Sequence, residues 1–164
     1  MLPVNNKPFI IREATFADIA ELAHLHVITW AATYPHVKKP PTFEIREWQW
    51  KEQFNKSNND WFCLVMENDE KDLIGFTKGI KEKKGGNLNK IYLLKQYHNQ
   101  GLGKLLMQQT VRTFIRMGVN NMWVVAEPGN PTCAFYEKMG GIKKEDAGPR
   151  VAVYVWSDLT TFKI

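Results

Sequence analysis

Cysteine is scarce in this chain, and long apolar runs are missing. Cys63 and Cys133 are the only two in 164 residues. They lie far apart and form no C-x-x-C pair, the usage of a reduced, cytoplasmic setting. No apolar stretch approaches the ~20 residues that span a bilayer, so no membrane partner is expected. The opening MLPVNNKPF lacks the charged-then-apolar order of a signal peptide. There is no repeat, no low-complexity segment and no shift in composition, so residues 1–164 read as one domain. Charge excess is small as well: 22 Lys and Arg against 17 Asp and Glu leave +5. That suits a small phosphate-bearing ligand and is too mild and dispersed for nucleic acid. The densest basic stretch, Lys81-Glu82-Lys83-Lys84, carries an acid and runs into Gly85-Gly86-Asn87, which reads as the turn of a solvated hairpin.

What is present suffices for a real core: 44% of residues are apolar and 12% aromatic. Phe9 to Glu13 reads as a short strand. Thr15-x-x-Asp18 has the form of a capping box. The helix after it carries Phe16, Ile19, Ala23, Val27 and Trp30 on one face. Pro35, Pro40 and Pro41 mark a loop, and Ile45 to Phe54 a second helix. Strands follow at Trp61–Met66, Leu73–Lys81 and Leu88–Leu94. A helix from about Gln100 to Met117 buries Leu102, Leu106, Met107, Val111, Phe114 and Ile115, and stops at Gly118. Met122–Ala126 is a fifth strand, Pro131–Met139 a short helix, and Val151–Trp156 a closing strand.

The stretch Tyr97-His98-Asn99-Gln100-Gly101-Leu102-Gly103 joins a strand to a helix. The first N–H groups of a helix lack internal partners and sit at the positive end of its dipole. Glycine at 101 and 103 leaves that backbone accessible to a phosphate. Close packing explains the same glycines equally well. A P-loop needs glycine where His98 stands and Ser or Thr where Leu105 stands. A dinucleotide fingerprint needs glycine at Leu106. Neither pattern is met.

His98-Asn99-Gln100-Gly101-Leu102-Gly103 resembles the pyrophosphate loop R/Q-x-x-G-x-G/A of the GNAT superfamily of acyl-CoA-dependent N-acetyltransferases, with His in the first position. Asn130-Pro131-Thr132-Cys133-Ala134-Phe135-Tyr136-Glu137-Lys138-Met139-Gly140 resembles the family's N-x-x-A-x-x-F-Y-E-K-x-G-F. It is one residue short and ends Gly-Gly. Ile11-Arg12-x-Ala14-Thr15 and His26-Val27-x-x-Trp30-x-x-x-Tyr34 look like the first strand and helix of bacterial members. Leu88 to Leu94 is most like the polyamine-acetyltransferase-like branch. The resemblance implies an α/β (α+β) fold. Its central sheet has six to seven mixed, mostly antiparallel strands, is flanked by about four helices, and splays between the fourth and fifth strands. It implies acetyl-CoA as cosubstrate and no metal. The pantetheine would pair with Leu93, Leu94 and Lys95. The pyrophosphate would meet N–H groups from His98, Asn99, Gln100, Gly101, Leu102, Gly103 and Lys104. Asn130 would contact the pantetheine arm, and Tyr136 would lie near the sulfur.

The implied reaction is thioester aminolysis. The amine, with a pKa of about 10, must lose a proton, and the leaving thiolate benefits from an acid. Tyr136 suits that acid, although a tyrosine on a short helix is more often core. Many relatives carry a base Glu where this chain has Asn87. A water chain, His24 or His26 remains, and two histidines two apart face different ways, against a shared metal. Trp30, Tyr34, Glu44 and Trp48 are candidate walls of an acceptor site for a small amine, with a polyamine leading, or for a peptide. Trp48 and Trp50 on an amphipathic helix covering the sheet is the plainer reading. Two other classes are an acyl-CoA-binding sensor without turnover and a basic nucleic-acid module, for which no motif exists. A homodimer is left open.

Overall fold

The computed structural model describes residues 9–163; the reading of the first eight residues lies outside it. The strands β1 (Ile10–Glu13), β2 (Trp61–Glu67), β3 (Leu73–Glu82), β4 (Gly85–Leu93), β5 (Met122–Ala126), β6 (Ile142–Lys143) and β7 (Ala152–Trp156) form one sheet. Its order is β1-β2-β3-β4-β5-β7-β6. Every neighbouring pair is antiparallel except β4–β5. The helices are α1 (Ile19–Thr33), α2 (Phe43–Phe54), α3 (Leu102–Arg116) and α4 (Thr132–Lys138). This is the mixed α+β sheet that the sequence implies, at the upper end of the expected strand count. No helix is long and apolar enough to cross a membrane among the described residues.

The pairing of β4 with β5 positions the site. Only Gly86↔Met122 and Asn87↔Trp123 are partners. Beyond them both strands continue without each other, so a gap opens along the second half of β4. One core lies on the α3 and α4 side of the sheet, around Met107, Phe114, Met122 and Tyr136. A second lies under α1 and α2, around Leu22, Trp50, Val65 and Phe76. A register shift at Lys78/Gly79 bulges β4 between Leu88 and Lys90. It moves Leu88 to the first core, while Tyr92 packs on the second.

Several element details differ from expectation. Phe16 lies in a 3-10 turn ahead of α1 and is exposed. The buried face of α1 is Ile19, Leu22, Ala23, Leu25, His26 and Thr29. Polar residues sit on it because their groups are largely met inside: the Thr29 hydroxyl donates to the Leu25 carbonyl at 2.7 Å. The Asp18 carboxylate does accept from the Thr15 N–H at 2.7 Å. Gly85, Gly86 and Asn87 belong to β4, and the hairpin turns at Lys83-Lys84. A Cβ on Gly86 would stand 2.9 Å from the Phe114 ring, so that glycine admits α3 to the sheet. Ile115 is exposed. The two-residue β6 carried no readable pattern.

Candidate active site

After β4 the chain passes through a 3-10 turn, Lys95–Tyr97, to α3. Gly101 is the N-cap of α3, with φ 79° in the left-handed region. A Cβ there would meet nothing within 4 Å. Backbone conformation, not crowding, therefore selects this glycine, and the space beside it is open. Gly103 differs: its Cβ would stand 3.2 Å from Phe135 Cε2, so α4 packs on it. Among the described residues no acceptor meets the N–H groups of Leu102, Gly103 or Lys104. They form a cradle of first-turn donors beside Lys104. Asn99 is also left-handed, at φ 61°. The Gln100 amide folds back to donate to the Gln96 carbonyl at 3.1 Å.

The loop is latched to β4. His98 Nε2 lies 2.8 Å from the Leu93 carbonyl oxygen. A carbonyl only accepts, so Nε2 carries the proton, and Nδ1 alone is left for another partner. The Leu94 N–H donates to Ile74 at 2.9 Å, and the Leu94 carbonyl accepts from Tyr97 at 2.9 Å. The Leu94 N–H is thus taken, and its carbonyl already has one partner. The Leu94–Ile74 bond makes Gly75↔Leu93 a non-hydrogen-bonded pair. The backbone groups of Leu93 and Ile91 therefore point away from β3, into the gap. The Lys95 carbonyl accepts from the His98 N–H at 3.1 Å.

The gap is a small cleft of about 70 Å³, open to solvent on one side. Its walls include Tyr34 at the end of α1, Asn89, Ile91 and Tyr92 of β4, Val124 to Ala126 of β5, and Thr132 and Tyr136 of α4. The lining holds three phenols and no carboxylate or imidazole. Tyr136 is 6% exposed. Burial pushes its phenol well up, against a smaller lowering by the Thr132 hydroxyl one turn earlier. It is a proton donor at neutral pH. Burial also raises Tyr92 and Tyr34, which lie side by side.

Three contacts fix α4 and hence Tyr136. Asn130 Oδ1 accepts from the N–H and the hydroxyl of Thr132, both at 2.9 Å. Its amide NH2 is what remains for a ligand. The Tyr154 hydroxyl donates to Glu137 at 2.8 Å, and the Trp156 indole donates to the Met139 carbonyl at 2.9 Å. Trp156 also lies over Gly141, where a Cβ would approach it to 2.8 Å; this accounts for the second glycine of Gly140-Gly141.

The base candidates fall outside the cleft. His26 is 1% exposed, and its Nδ1 accepts from the Trp50 indole at 3.2 Å. Burial, with Arg46, Lys90 and Lys78 nearby, pushes it down to about 2. Such an imidazole does not take up a proton at neutral pH. His24 is exposed and stacks on Phe43, ring centroids 3.9 Å apart. Asn87 sits at the closed end of the gap, donating to Glu82 at 3.2 Å. Among the described residues Glu127, directly after β5, is the one carboxylate acting on the cleft phenols, through Tyr34. It also pairs with His36 at 3.5 Å. No motif marked it in the sequence; only its place one residue past β5 could have.

The acceptor-wall residues separate. Tyr34 lines the cleft, and Trp30 packs against Tyr34, centroids 4.8 Å apart. Trp48 is 62% exposed, and Glu44 faces solvent. Glu47 pairs with Lys51 at 3.1 Å. What α2 turns inward is Arg46, Trp50 and Gln53. Trp48 is therefore no part of the covering face of α2, whereas Trp50 is.

The sequence model of the acetyltransferase (GNAT) family matches residues 22–141, spanning both the loop and α4. The chain belongs to this family and is an acetyl-CoA-dependent N-acetyltransferase. Among individual relatives, it is 27% identical to the "Uncharacterized N-acetyltransferase YuaI" of Bacillus subtilis (strain 168), over 93% of this chain and 95% of that one. Its fold is similar to that of the paia N-acetyltransferase from Thermoplasma acidophilum in complex with coenzyme A. The TM-score is 0.72 at 21% identity, covering 90% of this chain and 97% of the other. It is also similar in fold to the spermidine N-acetyltransferase from Vibrio cholerae in complex with CoA and spermine. There the TM-score is 0.70 at 15% identity, with 93% and 98% covered.

Proposed function

We propose that the protein acetylates a primary amine of a small molecule or peptide by direct attack within a ternary complex, with Tyr136 as general acid. The observation that carries this reading is the Tyr136 phenol, buried and protonated on the wall of the gap between β4 and β5. Acetyl-CoA supplies the activated thioester. The bare N–H groups of Leu102, Gly103 and Lys104, within the curled loop from His98 to Gly101, suit its pyrophosphate. The Leu93 N–H suits an amide of its pantetheine arm, as does the free NH2 of Asn130. The amine nitrogen bonds to the acetyl carbon, the carbon–sulfur bond breaks, and the departing sulfur takes the Tyr136 proton. The proton lost by the amine leaves through water toward Glu127.

A polyamine acceptor draws little support from this arrangement. Of the α2 glutamates, Glu44 and Glu52 face solvent and Glu47 is paired with Lys51, and the likeness to the spermidine enzyme extends only to fold. The test is acetyl-CoA-dependent thiol release against a panel of amines, with parent and Tyr136→Phe compared. The variant keeps the ring and loses the proton. We expect kcat to fall ~10²–10⁴-fold, the usual worth of general acid catalysis, with acetyl-CoA affinity unchanged. A variant as active as the parent would return Tyr136 to a packing role.

A further inference from the structure

Beneath α1 and α2, beside the cleft, one patch carries charge of one sign. Lys78 on β3 and Lys90 on β4 are direct cross-strand partners, a like-charge pairing that opposes stability. Lys78 Nζ donates to Gln53 at 2.7 Å and lies 5.6 Å from the Trp50 ring centre. Arg46 is 7% exposed; it donates to Gln49 at 3.0 Å and stacks 5.6 Å over Trp30. Its Nε has no partner. The His26 Nδ1 is taken by Trp50, so Nε2 carries the proton, and it too has no partner.

Among the described residues none of Lys78, Lys90 and Arg46 forms an ion pair. Their charged neighbours are one another: Lys90 and Lys56 act on Lys78, Arg46 acts on Lys90, and all three act on His26. Burial and this repulsion push Lys78 down to about 8 and also lower Lys90. Arg46 is a buried cation without a counter-ion, which is strongly unfavourable, and the half-buried Lys78 and Lys90 add like charge beside it. Two buried donors with nothing to donate to add to the cost. The patch adjoins the cleft through two of its lining residues. Trp30, under Arg46, packs on Tyr34, and Tyr92 lies 5.9 Å from the His26 ring.

We propose that Arg46, Lys90 and His26 Nε2–H receive an oxyanion of the acceptor, so that the acetylated amine belongs to a molecule that also carries a carboxylate or a phosphate. This rests on the acetyl-transfer reading and replaces the polycation as its acceptor. Both charges of such a molecule are served. The anion meets the cations and the orphaned donors, and the amine reaches the phenol-lined cleft. The same positive field disfavours the ammonium form of the amine. That promotes its deprotonation where the lining offers no carboxylate or imidazole. A polyamine would bring only like charge to this patch.

Two measurements test it. The first needs no turnover: the thermal midpoint of the parent, Arg46→Gln and Lys90→Met with inorganic phosphate at constant ionic strength. The parent should show a saturable rise that both variants lose. Lys90→Met should also be the more stable protein without phosphate, since it breaks the like-charge pair, so a lost response there is not a folding defect. An equal response in all three would overturn the proposal. The second compares an amino dicarboxylate, its diamide, an amino-sugar phosphate, the same sugar without phosphate, and spermidine. At least one acidic amine should exceed its neutral counterpart ~10-fold or more in kcat/KM, the scale of one charge-assisted hydrogen bond. Arg46→Gln should erase most of that advantage through KM, Arg46→Lys should restore part of it, and KM for acetyl-CoA should not move. Which acid wins separates carboxylate from phosphate. A preference for spermidine or the neutral amines overturns the oxyanion site and leaves acetyl transfer standing. Phosphate binding without transfer to any amine supports the site and counts against the transfer reading.

Discussion

Gly101 and Gly103 stand two residues apart, and the structure separates their roles enough to predict different responses. At Gly101 an added Cβ meets nothing within 4 Å, but φ is 79°. Gly101→Ala therefore carries left-handed strain of roughly 1–2 kcal/mol. A stiffer unfolded chain offsets about 0.4–1 kcal/mol of that. The net loss of stability should be ~1 kcal/mol, and Gly101→Asn should lose less, since asparagine tolerates this region. Gly103 lies within α3, where alanine gains up to ~1 kcal/mol of helix propensity. Its Cβ would sit 3.2 Å from Phe135, which must yield slightly. Gly103→Ala should be near neutral in stability. Gly103→Val should move Phe135 and screen the neighbouring N–H groups. If those groups hold a pyrophosphate, losing one charge-assisted bond of about 1.5–3 kcal/mol raises the CoA dissociation constant ~10-fold or more. Urea unfolding and calorimetric CoA titration of the same samples read both effects. Parent-like CoA affinity in Gly103→Val, alongside reduced stability, would make Gly103 a packing residue and remove the loop as the anion site.

Glu127→Gln should lower kcat at neutral pH while leaving CoA affinity unchanged; an unaltered pH–rate profile would remove Glu127 from the proton path. Burial, Arg46, Lys90 and Lys78 hold His26 near 2, far below an ordinary histidine, so only the unfolded chain binds its proton between about pH 6.5 and 2. Stability should thus fall as pH drops below 6.5, by up to ~1.4 kcal/mol per unit from this residue; a His26→Gln variant with the same acid slope would assign the loss elsewhere. Lys78, held near 8, gives the opposite window: the unfolded chain keeps this proton between about pH 8 and 10.5 and the folded protein does not. That contribution to stability should rise with pH across the range and vanish in Lys78→Met, and its persistence there would rule Lys78 out as the source.

The sequence disclosed the parts of the fold that have a period or a stop signal. The bounds of β5 were legible to the residue, because MWVVA is short, apolar and flanked by polar turns. The first face of α1 was misjudged. Its buried face includes His26 and Thr29 beside Leu22 and Leu25, and their polar groups are satisfied largely by Trp50 and by the helix itself, which hydropathy does not register. The glycines before Asn87 suggested a turn; instead Gly85 lies against Asn121 and Gly86 admits Phe114, a contact between residues 28 apart in sequence. The same divide runs through the site. The loop and Tyr136 lie in contiguous motifs. Glu127 comes to Tyr34, and Arg46, Lys78 and Lys90 come to His26, only in three dimensions, and none carries a local signature.

The structure of β4 shows why the candidate cofactor side of the site was legible in the sequence and the proposed acceptor side was not. A single strand serves both. Backbone groups of Ile91 and Leu93 point into the gap, and any residue types can supply them, so what the sequence must specify is the glycine loop that follows. Lys90 and Tyr92 point under α1 and α2, where specificity depends on what those helices bring. Glutamates outnumber basic residues along α2 three to two, a count that on its own favours a polycation as guest. Helical phase reverses that inference. Glu44 and Glu52 face water, and Arg46 faces in, one turn before Trp50. The inward charge bears more on the proposed acceptor, because attraction at an exposed carboxylate is screened by solvent and salt, while a charge at 7% exposure is screened far less.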